Sequence, residues 1–126
     1  MAIRKILERQ NALTAIVSMG IADIGAGNEA TINLPPGALL LDVTMDTIVA
    51  FDGTTNTGNV GDGTTTFISV EDIKTVGREA NDAKSKFYPS GGTLTVGLAQ
   101  TGAATVGQVI VTATYIGLYR GGEIQA

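Results

Sequence analysis

Residues 34–66 constrain the fold most, because they contain one long alternation of apolar and polar side chains between turn signals. Pro35 and Pro36 precede the alternation and Asp52-Gly53 follows it. Proline fixes φ and lacks a backbone donor, so such residues mark the ends of strands. Six apolar residues of this stretch occupy odd positions, namely Leu39, Leu41, Val43, Met45, Val49 and Phe51, and three polar residues occupy even positions, namely Asp42, Thr44 and Asp46. A period of two predicts one strand over residues 38–51 with a single buried face, as in a β-sandwich.

The same stretch has a family resemblance. The run LPPGALLLDVTMDTIVAFDGTTNT followed by VGDGTT resembles small all-β virion proteins of tailed bacteriophages, including capsid decoration (cement) proteins. The resemblance rests on turn and strand signatures. It implies a structural role on the capsid surface of a virion assembled in the host cytoplasm. It also implies two partners, the major capsid protein and further copies of the chain, with a trimer favoured over a dimer.

The amino-acid composition excludes several kinds of catalytic and metal-binding site. The chain has 126 residues, with 17 Gly and neither Cys nor His, which removes disulfides, thiolate metal sites and the commonest general base. We therefore expect no enzyme and no cofactor. No run approaches the ~20 apolar residues of a membrane span, and the basic N-terminus lacks the apolar core of a secretory signal. The acidic body has no basic stripe with aromatic residues, so we expect neither nucleic-acid nor membrane binding.

These features predict an all-β fold, a β-sandwich or jelly-roll-like pair of antiparallel sheets with one short helix. We expect an N-terminal arm over residues 1–12 and a single domain over residues 13–126. Predicted strands cover residues 14–24, 30–34, 38–51, 64–70, 93–100 and 107–120, with strand or loop at 84–88. Residues 52–62 read as a loop with a short paired piece, and residues 92–119 as a hairpin. Ser69 resembles an N-cap followed by Glu71 and Asp72, so we predict the short helix from there to about Asn81.

The last predicted strand has two apolar faces. Val109, Val111 and Ala113 lie on one face together with Tyr115 and Tyr119, and the opposite face mixes threonines with aliphatic residues. A one-sided sheet has a polar outer face, and large exposed apolar patches are rare on monomers. We therefore predict a subunit interface at Ile110, Ile116 and Leu118. The alternative is cover by the arm or the helix of the same chain.

The N-terminus differs in charge from the sequence that follows. From Asn11 to Ile73 there are eight acidic residues and no Lys or Arg. The first ten residues combine cations with aliphatic side chains, and we predict that these contact the capsid or a neighbouring subunit: Ile3, Arg4, Lys5, Ile6, Leu7 and Arg9. The alternative is a solvated tail that contacts nothing.

Three further groups of polar residues raise the questions of metal binding, catalysis and glycan binding. Asp52, Asn56, Asn59 and Asp62 place oxygen ligands in one segment, but the EF-hand spacing is absent and β-turns use the same residues, so we expect no metal. The carboxylates of Asp42 and Asp46 lie four residues apart along one strand face, which does not favour catalysis. An alternative function is a tail-fibre or receptor-binding module that contacts host-surface glycans through loop 52–63 and the tyrosines Tyr88, Tyr115 and Tyr119.

Overall fold

The computed structural model describes residues 12–25, 27–82 and 85–117, and these form two antiparallel β-sheets packed face to face. A 3-10 helix, Ile21–Asp23, follows the first strand, which ends at Gly20. The strands are β1 (Leu13–Gly20), β2 (Ala30–Leu34), β3 (Ala38–Val49), β4 (Thr55–Gly61), β5 (Thr66–Asp72), β6 (Gly77–Asp82), β7 (Lys86–Tyr88), β8 (Gly92–Thr101) and β9 (Gln108–Gly117).

The strand order is that of a jelly roll. Sheet A has the order β1-β9-β3-β6, and β7 pairs with the first residues of β3 on the same side as β6. Sheet B has the order β2-β8-β4-β5. Every ladder between named strands is antiparallel, and the chain passes from one sheet to the other after β1, β2, β3, β5, β7 and β8. The predicted all-β sandwich is confirmed.

The core lies between the two sheets. Sheet A contributes side chains such as Met45 and Val111, and sheet B contributes Val60 and Leu94, all of them fully buried. Gly58 of β4 leaves space for the opposite sheet, because a Cβ built there would lie 2.8 Å from the Met45 sulfur. A larger residue at this position would overpack the core.

The alternation in β3 changes phase, which corrects part of the prediction. Leu39 and Leu41 were expected to face the core, but Leu40 is the residue that is fully buried. The pairing of β3 with β9 shifts between Leu40 and Asp42, so a bulge at Leu41 exchanges the two faces. Beyond the bulge Val43, Met45 and Phe51 are buried as predicted.

A second irregularity lies near the end of β3. The register with β9 shifts again between Thr47 and Val49, and Val49 is exposed although the alternation placed it inside. By contrast, Thr47, a polar residue of the same strand, is buried. The pairing of β3 with β9 joins the two longest predicted strands, residues 38–51 and 107–120.

The predicted helix over residues 69–81 is wrong. Ser69 is an exposed residue within β5, and β6 begins at Gly77 after a short turn. Val76, which lies within the predicted helix, is in a turn and is 62% exposed. In this segment β5 pairs with β4 and β6 pairs with β3, so long-range strand pairing overrides a weak helical pattern.

The predicted hairpin over residues 92–119 is also wrong. The strands β8 and β9 belong to different sheets, where β8 pairs with β2 and β4 and β9 pairs with β1 and β3. The connection over residues 102–107 crosses one end of the sandwich, and Asp52 accepts hydrogen bonds from two of its amides, Thr105 and Val106. A connection of this length is long enough to span the ~10 Å between packed sheets.

The segment expected to be a loop, residues 52–62, contains a full strand. Its central part, β4, pairs along its whole length with β8, from Thr55 opposite Thr101 to Gly61 opposite Thr95. Asn56 is 1% exposed, and its side-chain oxygen accepts a hydrogen bond of 2.8 Å from the amide of Gly53. Glycine and asparagine concealed this strand because both disfavour strands on average.

Candidate interaction surface

The outward side of sheet A, here called the outer apolar face, is rich in aliphatic and aromatic side chains. At one end a row of Phe87, Leu39 and Ile116 crosses β7, β3 and β9, as their mutual pairing shows. Phe87 is 39% exposed, and the other two are half-buried. On β1, Ile16 lies opposite Thr112 and is 63% exposed. The alternation of β9 is confirmed by this register and by the burial of its inner face.

A cleft continues this face at its other end. It has a volume of ≈ 420 Å³, and its apolar wall consists of Ile48, Val76 and Ile110. Beside them Arg78 donates two hydrogen bonds to the carboxylate of Asp46, at 2.8 and 3.3 Å. That hydrogen bond, together with the charge of Asp46, raises the pKa of Arg78. Ile48 and Val76 are 47% and 62% exposed in this cleft, and the Arg78 side chain beside them is exposed as well.

The outward side of sheet B has a different chemistry. Thr31 lies opposite Thr95, and Asn33 lies opposite Thr93. The Thr93 hydroxyl donates a hydrogen bond of 3.1 Å to the side-chain oxygen of Asn33. These four residues are exposed and uncharged. The sandwich therefore has one polar outer face and one partly apolar outer face, and the apolar one is the better candidate for a protein contact.

Asp62 lies in the turn that follows β4, and its hydrogen bonds connect this turn to β7. Its carboxylate accepts hydrogen bonds from the amides of Thr64 and Thr65, at 2.9 and 2.6 Å. It also accepts one from Lys86 Nζ at 2.5 Å and one from the Tyr88 hydroxyl at 2.7 Å. Lys86 Nζ lies 5.2 Å from the centre of the Tyr88 ring, within range of a cation–π contact.

The environment of Asp62 shifts two pKa values. Burial alone would raise the pKa of Asp62, whose side chain is 4% exposed, but the hydrogen bonds from Lys86, Thr65, Tyr88 and Thr64 outweigh it and hold this pKa well below its usual range. Burial, and then the hydrogen bond to Asp62 and its charge, raise the pKa of Tyr88. The cluster is therefore a charged, hydrogen-bonded group that fixes a turn.

Asp52 lies at a different connection. Its carboxylate accepts hydrogen bonds from the hydroxyl and amide of Thr105, at 2.5 and 2.6 Å, and these lower its pKa. The four candidate metal ligands of segment 52–62 thus have separate positions: Asp52 and Asp62 each anchor a turn, Asn56 is buried and Asn59 is exposed. Among the residues that the structure describes, no three His, Cys, Asp or Glu side chains lie close enough together to bind a metal ion.

The predicted contact residues divide between described and undescribed parts of the chain. Ile110 and Ile116 lie on the outer apolar face, at its two ends. Leu118 and the six arm residues lie outside the described residues. Sequence reasoning missed Ile16, Ile48 and Val76, although their exposed aliphatic side chains belong to the same surface. Strand pairing reveals that Ile16 shares a face with β9, and the lining of the cleft places Ile48 and Val76 beside Ile110.

The tyrosine platform suggested for glycans is not formed by the described tyrosines. Tyr88 is 6% exposed, and its hydroxyl is bonded to Asp62. Tyr115 lies opposite Leu13 and Leu40 and packs against the core. Tyr119 lies outside the described residues. The strand pattern contained a signal for Tyr115, because it shares the parity of the buried Val109 and Val111.

Two solved capsid structures contain chains with this architecture. One is a chain of the cyanophage Pam1 capsid asymmetric unit, with a TM-score of 0.66 and 24% sequence identity over 86% of each chain. The other belongs to the acid-stable capsid of Helicobacter pylori bacteriophage KHP30, with a TM-score of 0.55 and 14% identity over 85% of this chain and 92% of that one. What they share with this chain is the fold. No protein-family model and no curated protein matches the sequence. The described residues include no helix with the length and apolar character that crossing a membrane requires.

Proposed function

We propose that the chain is a virion structural protein that decorates a phage capsid and stabilises it by binding its surface. The observation that carries this proposal is the outer apolar face of sheet A, on a jelly roll that resembles chains of two phage capsids. The role is structural and requires no catalytic group. The major capsid protein is the proposed partner at the particle surface.

The outer apolar face also supports association of the chain with itself. Ile110 and Ile116 are half-buried on this face, and Leu118 follows them in sequence with the same parity. Burying one aliphatic side chain of this size contributes about 1.5–3 kcal/mol if it is fully removed from water. We infer a homo-oligomer held by this face, a trimer before a dimer. Each subunit then attaches several times to a repeating shell, so that modest single contacts add up to strong attachment.

The N-terminal arm, residues 1–12, supplies the second contact of the proposal. Its cations Arg4, Lys5 and Arg9 complement the acidic stretch from Asn11 to Ile73, and its aliphatic residues are interleaved with those cations. Ordering a free segment costs about 1–2 kcal/mol per residue in backbone entropy, so the arm gains from ordering only where a partner supplies enough contact. We propose that it clamps a neighbouring subunit or a capsid protein.

Aspartate substitutions on the outer apolar face test the proposed association. Ile110→Asp or Ile116→Asp places a charge in the contact, so we expect the oligomer seen by light scattering at micromolar concentration to dissociate. Co-sedimentation with capsids that lack the chain should fall at least tenfold, since each lost apolar contact is multiplied over the attached subunits.

The matched control is Thr95→Asp, which places the same charge on the polar outer face of sheet B, where Thr95 is exposed. It should leave association and co-sedimentation unchanged. A native chain that is monomeric, or a Thr95→Asp variant that loses binding as completely as the Ile110→Asp variant, contradicts the proposed surface.

A further inference from the structure

The outer edge of β1 lacks a neighbouring strand among the described residues. β1 is the terminal strand of sheet A and pairs with β9 on one side only. Its sequence, LTAIVSMG, contains no charge and no proline. Edge strands of soluble proteins normally carry such features, because an unpaired row of amides and carbonyls otherwise binds another strand. The length and composition of β1 therefore suit pairing with a further strand.

The order of side chains in β1 is self-complementary. Read from Leu13 to Met19, the strand matches its own reverse about Ile16, with hydroxyl against hydroxyl and apolar against apolar. In an antiparallel pair of two such strands the opposed residues are Leu13 with Met19, Thr14 with Ser18, Ala15 with Val17, and Ile16 with Ile16. Opposed side chains of like polarity stabilise antiparallel pairs, and no charge opposes a like charge in this register.

The burial pattern favours a second copy as the occupant of this edge. Ala15 and Val17 are only partly buried and already pack against the core. In the self-complementary register the partner's Val17 and Ala15 would cover them, extending the core across the junction. On the opposite side, the 63%-exposed Ile16 would meet its own copy. Both faces of β1 thus lose apolar exposure in one contact.

We propose that β1 is a twofold contact, in which the strand pairs antiparallel with β1 of a second copy and Ile16 lies on the axis. The two A sheets then form one continuous sheet across the dimer junction. A contact of this kind is isologous and closes on itself, which prevents further growth along the edge. The twofold contact uses the backbone edge of β1, which borders the outer apolar face, and not the Ile110 and Ile116 side chains assigned to the trimer contact. It does not depend on attachment to a capsid.

Single cysteines test the register directly, because the native chain has no Cys. In the full-length chain, Ile16→Cys places two thiols opposite each other, with Cβ atoms about 4.5–5.5 Å apart. Mild oxidation, or a bifunctional thiol reagent with a one-carbon spacer, should convert most of the protein into a covalent dimer. Ile16 is 63% exposed, so the substitution leaves the core intact.

The matched controls are Thr14→Cys and Ser18→Cys, each exposed and on the same face of β1. In the proposed register each thiol lies four residues, about 13 Å, from its own copy, so neither single variant should cross-link. The double variant Thr14→Cys/Ser18→Cys restores opposed thiols and should cross-link as Ile16→Cys does. In a separate variant, Ile16→Lys opposes two like charges on the axis and should weaken twofold association at least tenfold by analytical ultracentrifugation.

The outcomes separate this proposal from the proposed function. An Ile16→Cys protein that stays uncross-linked under both conditions, or that cross-links no better than Thr14→Cys, overturns the β1 contact. Occupation of the edge by the N-terminal arm of a neighbouring copy gives that same result. An Ile16→Cys protein that cross-links as expected, while the native chain binds no capsid, contradicts the decoration role and leaves the β1 contact supported.

Discussion

At the scale of single residues, Asp62 shows how polar side chains stabilise the turns of this sandwich. A charged carboxylate that is 4% exposed is tolerated because Lys86, Tyr88 and two backbone amides donate hydrogen bonds to it. The sequence identified Asp62 as a turn residue, because Gly63 follows it. The sequence did not reveal its partners, since Lys86 and Tyr88 are brought there by the pairing of β7 with β3.

Replacing Asp62 with Asn should destabilise the fold. The amide keeps the size of the carboxylate but loses its charge, and its NH2 group would face the Lys86 ammonium. We expect a loss of about 2–4 kcal/mol in the free energy of unfolding, measured by urea denaturation. The control Asp52→Asn alters an exposed carboxylate that also anchors a turn, and it should cost less. Equal losses for the two variants would show that burial of Asp62 contributes nothing.

The same residue predicts a pH dependence. Because folding lowers the pKa of Asp62, its contribution to stability is fully present above the pKa of the unfolded chain, about 3.9, and is lost as the pH falls through the lower pKa of the folded state. The difference in unfolding free energy between the native chain and Asp62→Asn should therefore shrink steadily from pH 5 to pH 3. A difference that grows over this range would contradict the lowered pKa.

At the scale of strands, the sequence predicted where the long strands lie better than it predicted which of their side chains are buried. Alternation identified β3 and β9 as long strands, and both lie next to each other in sheet A. For the residues of β3 before the bulge, alternation predicted the wrong buried face. The extra residue at Leu41 is an irregularity in the pairing of β3 with β9, and the sequence of β3 alone does not reveal it. β4 was missed for another reason, since its Gly58 is required by contact with Met45 of the opposite sheet.

A pair of leucine substitutions tests the bulge. Leu40 is fully buried, so Leu40→Ala should lower the free energy of unfolding by about 2–5 kcal/mol. Leu39 lies on the outer apolar face, and Leu39→Ala should cost about 1 kcal/mol or less. Thermal or urea denaturation of the two variants compares them directly. The reverse ranking is what uninterrupted alternation predicts, and it would contradict the bulge.

The arm is the element whose proposed role can be tested by removal. Deleting residues 1–10 should leave the melting temperature nearly unchanged, because the core described here consists of residues from Met19 to Ala113. The same deletion should weaken attachment to capsids. Added salt should also weaken the attachment of the native chain, because it screens the charges of the arm. A truncated chain that fails to fold, or one that decorates particles as well as the full-length chain, would contradict the clamp.

At the scale of the whole molecule, the assignment of strands to sheets lay beyond the sequence. Consecutive strands such as β8 and β9 appear as a hairpin when read locally, but the jelly roll places them in opposite sheets, joined across one end of the sandwich. The choice depends on long-range pairing of β9 with β1 and β3. The same topology makes the outer faces unequal, because Ile16, Leu39 and Ile116 come together only through this pairing.

A cryo-EM map of the particle that contains this chain tests the decoration role most directly. We expect density for the jelly roll on the outer surface of the capsid shell, in multiple copies around the local threefold positions. The outer apolar face of sheet A should be buried between copies or against the shell. Particles assembled without the chain should lack that density and open at lower temperature. A map in which the jelly roll is absent from the shell and occurs only in the tail would contradict the decoration role.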